Sequence, residues 1–228
     1  MFVTETMRTD LIAIREETTL ADALSLMEKG SFRHLPVVDE SGKLVGIVTD
    51  RDMRSAKPST LLSDEDYRRT YDEVMQHTVG EIMTRNPLTV APYFTLQDSL
   101  LVMRRKKVGA LPVVDEDGRL KGIMSTRDLL RAFVNIMGIE EPGTLLCILV
   151  NEKTGQLKKI VDIVTEENVS MGSVLVARDW EDEKRAIFPY LLTNNVISIK
   201  KKLIEQGFEL LDPMGWYLDQ LPQKKHEA

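Results

Sequence analysis

Two short phrases of this chain set a hydroxyl residue three positions ahead of an aspartate: Thr49 and Asp52 in GIVTDRD, Ser125 and Asp128 in GIMSTRD. Those residue types at that spacing suit two kinds of chemistry. One is structural. The hydroxyl and the carboxylate each accept from the other residue's amide, which satisfies N–H groups left unbonded at a helix start. The other is ligand chemistry: a carboxylate can accept from both hydroxyls of a ribose, while the hydroxyl and the N–H groups of the first helical turn meet phosphate oxygens. Arg51 and Arg127 directly precede the two aspartates, and a guanidinium can grip phosphate through two parallel N–H bonds. As plain surface residues the same arginines would only be solvated. The residues alone leave both readings open.

Little else in the chain offers reactive chemistry. There is one cysteine, Cys147, inside the apolar run TLLCILV, where it reads as a small buried hydrophobe. Three histidines are scattered; His77 and His226 have no carboxylate or cysteine at metal-ligand spacing, so no metal site is expected. No G-x-S-x-G and no phosphate-binding loop of the P-loop type occurs, so no catalytic residue is expected and the chain reads as a non-enzyme. At 228 residues, 43% hydrophobic and 29% charged, the composition is that of a globular protein of one large or two smaller domains. A net charge of -6 with lysines and arginines mixed among the acids argues against a nucleic-acid footprint. MFVTETMRTD has no basic region leading into an apolar one, and no long apolar run follows, so the expectation is a cytoplasmic protein with no membrane span.

The positioning elements come from a duplication. Shifting the chain by 76 residues aligns 3–53 with 79–129 without a gap, matching at 20 of 51 positions. Each copy reads as a β-α-β-β-α unit. It comprises an extended stretch (LIAI, PLTV), a helix begun at Thr19 or Thr95, a strand at LPVVD, a glycine turn, a strand at VGIV or KGIM, and a second helix. Leu20, Ala23, Leu24 and Met27, with Leu96, Ser99, Leu100 and Met103, form the inner helix faces. One unit of about 50 residues makes a marginal core, so the two must pack together with pseudo-two-fold symmetry. Between them Pro58 ends a helix and Ser63 starts another.

After Met137, GIEEPG marks a boundary. Beyond it the pattern is β-α-β-β-α-β. It comprises a strand over Thr144 to Val150, a helix carrying Leu157, Ile160, Val161 and Val164, and strands over Ser170 to Trp180 and Lys184 to Asn194. A helix over Val196 to Gly207 and a strand near Glu209 to Leu211 complete it. Pro189 sits awkwardly in the third strand, because it cannot donate a ladder hydrogen bond. The expected divisions are 1–56 and 79–140 for the repeats, 57–78 for a helical connector, 141–216 for the C-terminal domain and 217–228 for a tail.

The duplicated LPVVDE-xGxLxGIx(T/S)xxD phrase resembles the paired cystathionine-β-synthase (CBS) domains of the Bateman module, over about 130 residues. That resemblance implies two repeats packed by their sheets, with two clefts for AMP, ADP, ATP or another adenosyl ligand as regulatory ligand and no required cofactor. It places Thr49 and Asp52 in one cleft and Ser125 and Asp128 in the other, on ribose and phosphate. It sets Ile12 and Leu88 beside the base. Basic residues before the first LPVV strand contact phosphate in some relatives. Arg33 and His34 therefore imply a cleft that takes extra phosphate charge, while Gly109 and Ala110 leave the other cleft more open.

More weakly, the C-terminal pattern resembles the ferredoxin-like ACT regulatory domain. Its D-x-P-G-x-L effector turn corresponds to Glu152-Lys153-Thr154-Gly155-Gln156-Leu157, with Thr154 in place of the proline and Glu152 in place of the aspartate. Glu152, Gly155 and Leu157 would be the amino-acid effector residues. The whole order resembles the acetoin-utilization proteins of the AcuB type. The implied fold is α+β, a pseudo-two-fold CBS pair followed by a βαββαβ ACT-like domain. The implied function is a homodimeric adenine-nucleotide sensor that relays occupancy to its ACT-like domain or to an unknown regulated protein. The competing expectation is a ligand-free dimeric scaffold whose motifs only cap helices.

Overall fold

The computed structural model describes residues 1–181 and 184–211. The expected tail, 217–228, with His226, lies outside the described residues, as do the last residues of the expected C-terminal domain. The fold is α+β and has two compact units, Met1–Leu130 and the chain from Arg131 on.

In the first unit each copy builds the same elements, for the same local reasons. Thr19 accepts from the amide of Asp22 and starts α1 (Leu20–Gly30); Thr95 does the same with Asp98 at the head of α4 (Leu96–Lys106). The inner faces bury Leu20, Ala23 and Met27, and Leu96, Ser99 and Met103. The expected fourth members differ: Leu24 is half-buried and Leu100 is 41% exposed. Ser99, fully buried, satisfies its hydroxyl on the carbonyl of Thr95 at 3.0 Å. Strands β1 (His34–Val38) and β2 (Leu44–Thr49) pair antiparallel, as do β4 (Ala110–Val114) and β5 (Leu120–Ser125). The turns between them need Gly42 and Gly118, at φ +80° and +78°. Helices α2 (Asp50–Ala56) and α5 (Thr126–Met137) follow, and α3 (Asp64–Met75), capped by Ser63, forms the connector.

The pseudo-two-fold relation is visible in paired hydrogen bonds. The Leu44 amide donates to the Gly118 carbonyl at 3.0 Å, and the Leu120 amide donates to the Gly42 carbonyl at 3.2 Å, each pair being 76 positions from the other. The segments leading each copy are exchanged. Residues 2–8 attach to the second copy, Arg8 bridging Ile123, while β3 (Thr84–Arg85) pairs with Gly46 and Ile47 of the first. Gly46 and Gly122 allow this close approach. A Cβ there would lie 2.3 Å from Met83 Sδ or 2.5 Å from Met7 Sδ. The stretches expected as strands at LIAI and PLTV each contribute only one bridge residue, Ile14 to Val37 and Val90 to Val113.

The second unit has the order β6 (Thr144–Leu145), β7 (Ile148–Asn151), α6 (Gln156–Glu166), β8 (Met171–Glu181), β9 (Lys184–Leu191), α7 (Ile197–Glu205) and β10 (Glu209–Leu210). β10, β7, β9 and β8 lie side by side, each antiparallel to the next, which is the split βαβ topology. The single strand expected over Thr144 to Val150 breaks at Leu146 and Cys147. The break lies across from Pro189, whose carbonyl accepts from the Leu146 amide but which has no N–H to return. The helices bury Ile160, Val164, Ile199 and Leu203 against Ile148, Ile187 and Leu191.

Candidate functional site

β2 and β5 each end on a hydroxyl at the mouth of the next helix, and in both copies the capping box is closed. Asp52 Oδ2 accepts from the Thr49 hydroxyl at 2.7 Å and its amide at 2.8 Å; Asp128 Oδ2 accepts from the Ser125 hydroxyl at 2.5 Å and its amide at 3.0 Å. The hydroxyls accept back from the aspartate amides at 3.3 Å. The structural chemistry of the motif is therefore present twice.

The copies part company in what lies beside the cap. Ser125, Arg127 and Asp128 border a cleft of about 860 Å³, including the part open to solvent. Its other wall comes from the first copy and carries Ile12, Arg33 and His34. Thr49, Arg51, Asp52 and Leu88 are not on its walls; Arg51 is exposed and Leu88 is 41% exposed. Gly109 and Ala110 were expected to mark a second, more open cleft. The structure puts Gly109 on the same cleft as Arg33 and His34 and buries Ala110 in β4. The reason is proximity: a Cβ at Gly109 would lie 3.3 Å from His34 Nε2. Asp10, Phe32, Ile123 and Thr126 also line this cleft, as does Arg8, which had no local sequence signal because the exchange of leading segments brings it there.

Among the described residues, neither Arg33 nor Arg127 has an ion pair or a side-chain hydrogen bond, whereas Arg8 stacks its guanidinium 5.3 Å from the Phe32 ring. Burial, followed by the nearby Arg33 charge, holds His34 below its ordinary value against the opposing pull of Asp50 and Asp52, with burial the largest influence. Asp128 is 3% exposed. The arrangement offers an apolar wall, a helix start with a buried carboxylate and two uncommitted guanidiniums. That combination suits a flat, partly apolar ligand bearing a diol and phosphate.

Elsewhere, His77 does have a carboxylate partner, contrary to the expectation: its Nδ1 lies 2.7 Å from Oε2 of Glu81, four residues on. No group of three or more potential metal ligands exists among the described residues. Cys147 is buried, which pushes its thiol up to about 11. In the second unit Glu152 pairs with Arg185, Gly155 starts α6 at φ +91° and Leu157 is 41% exposed. A polar cavity nearby is bordered by Asn151, Gln156 and Lys184 rather than by those three residues. No described helix is long and apolar enough to cross a membrane.

The family model described as CBS domain matches residues 3–59 and 79–135. A CBS domain-containing protein of Dictyostelium discoideum is 36% identical over 137 residues, spanning 60% of this chain and 94% of its own. CBSX2 of Arabidopsis thaliana, solved in complex with AMP, is similar at 30% identity and a TM-score of 0.50, over 59% of this chain and 97% of that one. A putative acetoin utilization protein (AcuB) from Vibrio cholerae is similar at 30% identity and a TM-score of 0.52, over 62% and 98%.

Proposed function

The chain belongs to the CBS-domain family, and on that premise we propose that it is a non-catalytic sensor of adenosine nucleotides. The ligand sits in the cleft between Ile12 and Asp128. The observation that carries this reading is the pairing of a buried carboxylate, Asp128, with the uncommitted Arg33 and Arg127 on one cleft. Asp128 takes the ribose diol, Ile12 flanks the base, and Arg33, Arg127 and the first turn of α5 take phosphate. The AMP complex of CBSX2 supports an adenine nucleotide as the ligand class. Thr49, Arg51, Asp52 and Leu88 belong to a second, weaker position related to the first by the pseudo-two-fold axis.

Occupancy is relayed along α5, whose residues run from the first unit into the second, to the ACT-like domain or to a partner protein of a homodimer. Such a relay requires that the ligand bind two conformations with different affinity. An effector role for Glu152, Gly155 and Leu157 belongs to the same proposal. Calorimetry with AMP, ATP, NADH and S-adenosylmethionine tests the reading: a saturable signal for at least one adenine nucleotide is expected, and none with a folded protein would overturn it.

The second reading, a dimeric scaffold without ligand, is favoured by the closed capping boxes themselves. The same pairing of hydroxyl and aspartate recurs at Thr19 with Asp22, Ser63 with Asp66 and Thr95 with Asp98, which only start helices.

A further inference from the structure

In the first copy the guanidinium of Arg15 donates to the carbonyl of Val38, at 3.0 Å, and to that of Asp39. The second copy has Ala91 at the corresponding place, 76 positions on. The backbone that presents the carbonyls is nonetheless the same in both. The Val38 amide donates to the Ile14 carbonyl at 2.9 Å and the Val114 amide to that of Val90 at 3.1 Å; the Gly42 and Gly118 amides donate to the Asp39 and Asp115 carbonyls at 2.9 and 3.0 Å. Val114 and Asp115 therefore offer the same pair of carbonyls, and the Gly118 bond leaves a second acceptor site on Asp115. Alanine has no donor to give them. Ala91, Val114 and Asp115 instead border a hollow of about 1130 Å³, including the part open to solvent, and no lysine or arginine lines it among the described residues. Two further differences between the copies suit a cation: Tyr93 stands where the first copy has Glu17, and Asp117 where it has Ser41. Tyr93 is 70% exposed. Asp115 is held by Lys121 at 3.0 Å, whereas Glu116 and Asp117 have no ion pair among the described residues.

We infer that this hollow is a docking site for an arginine of a partner protein. Its guanidinium takes the place that Arg15 holds in the first copy and donates to the carbonyls of Val114 and Asp115. The Tyr93 ring gives a guanidinium a face to stack on. Glu116 and Asp117 supply negative charge that no side chain of the hollow balances. The occupant is a residue of a polypeptide rather than a free small cation for two reasons. The arginine that fills the same place in the first copy reaches it from a main chain. The hollow is also larger than the cleft beside Asp128, about 1130 against 860 Å³, and Pro92 and Phe94 line it with apolar surface for the residues that flank the arginine. That flanking contact matters because an exposed ion pair alone contributes little.

The test is an NMR titration of the full chain, without nucleotide, with a capped leucine-arginine-leucine peptide, the same peptide carrying citrulline, and free arginine. The arginine peptide should shift the amides of Ala91, Tyr93 and residues 114–118. It should bind about tenfold tighter than the citrulline peptide, a difference of the size of one charge-assisted contact. It should also bind about tenfold tighter than free arginine, for which about 60 Å² of buried apolar flank is enough. Ala91→Arg rebuilds the arrangement of the first copy and should weaken the peptide at least about tenfold while the melting temperature holds. Glu116→Gln combined with Asp117→Asn removes two exposed charges and should weaken it about threefold. Citrulline peptide or free arginine binding as tightly as the arginine peptide would overturn the inference. So would a folded Ala91→Arg protein or the double variant binding like the parent, or no shift at those amides at millimolar peptide.

Discussion

Substitution of Asp128 separates the two chemistries that its motif can perform. In the structure its Oδ2 closes the cap on the Ser125 hydroxyl and amide while the residue borders the cleft. Asp128→Ala leaves that partly buried amide without its acceptor and so costs about 1–3 kcal/mol, which lowers the melting temperature by several degrees. Asp128→Asn keeps an oxygen for the cap but removes the charge and replaces one acceptor by a donor, so its stability should stay within about 1 kcal/mol of the parent. Both variants lose the acceptor for the ribose diol, at about 1.5–3 kcal/mol, or roughly tenfold to a hundredfold in Kd. Asp52→Ala is the control. It breaks the same cap in the first copy, where Asp52 does not border the cleft, and should lower the melting temperature while changing affinity at the Asp128 cleft by under about threefold, any loss being confined to the second, weaker position. Thermal unfolding and nucleotide titration on the three variants decide the matter. If Asp128→Asn binds nucleotide as tightly as the parent, the carboxylate only starts a helix and the reasoning fails.

Further outcomes follow from the packing and the titrating groups. Gly122→Ala should cost about 1–3 kcal/mol in a denaturant titration, because the added Cβ meets the Arg8 carbonyl at 3.1 Å as well as Met7. Gly46→Ala meets only the movable Met83 side chain among its nearest neighbours and should cost less. His34 is held below 6.5 by burial, so the unfolded chain takes up its proton first as the pH falls. Its contribution to stability is full above about pH 6.5 and declines as the pH drops toward its folded-state value, and His34→Gln should flatten that part of the denaturation profile. Cys147, pushed up to about 11 and buried, should resist a thiol reagent at pH 8 until the second unit is unfolded, which a timed labelling with and without urea would show.

How far the sequence could be read depended on whether a feature was local. The repeat, the caps at Thr19, Ser63 and Thr95 and the glycine turns at Gly42 and Gly118 are decided within a few residues, and all were legible. The LIAI and PLTV stretches were not. Their extended form is set by one bridge each to a distant strand, with no ladder of their own. Nothing in residues 2–8 says which copy they join, so neither the exchange of leading segments nor the place of Arg8 on the cleft was visible. Arg33 and His34 share a wall with Asp128 of the other copy because the starts of β1 and β4 lie close together, a Cβ at Gly109 falling 3.3 Å from His34 Nε2. Pro189 was legible as an oddity, and its consequence, the break between β6 and β7, needed the register of β9.

The most direct test of the central claim is a crystal structure of the full chain grown with saturating ATP. Adenine is expected beside Ile12, with the ribose hydroxyls on Asp128 and phosphate at Arg33 and Arg127. A cleft that stays empty under those conditions, or nucleotide bound only at some other surface, would contradict it.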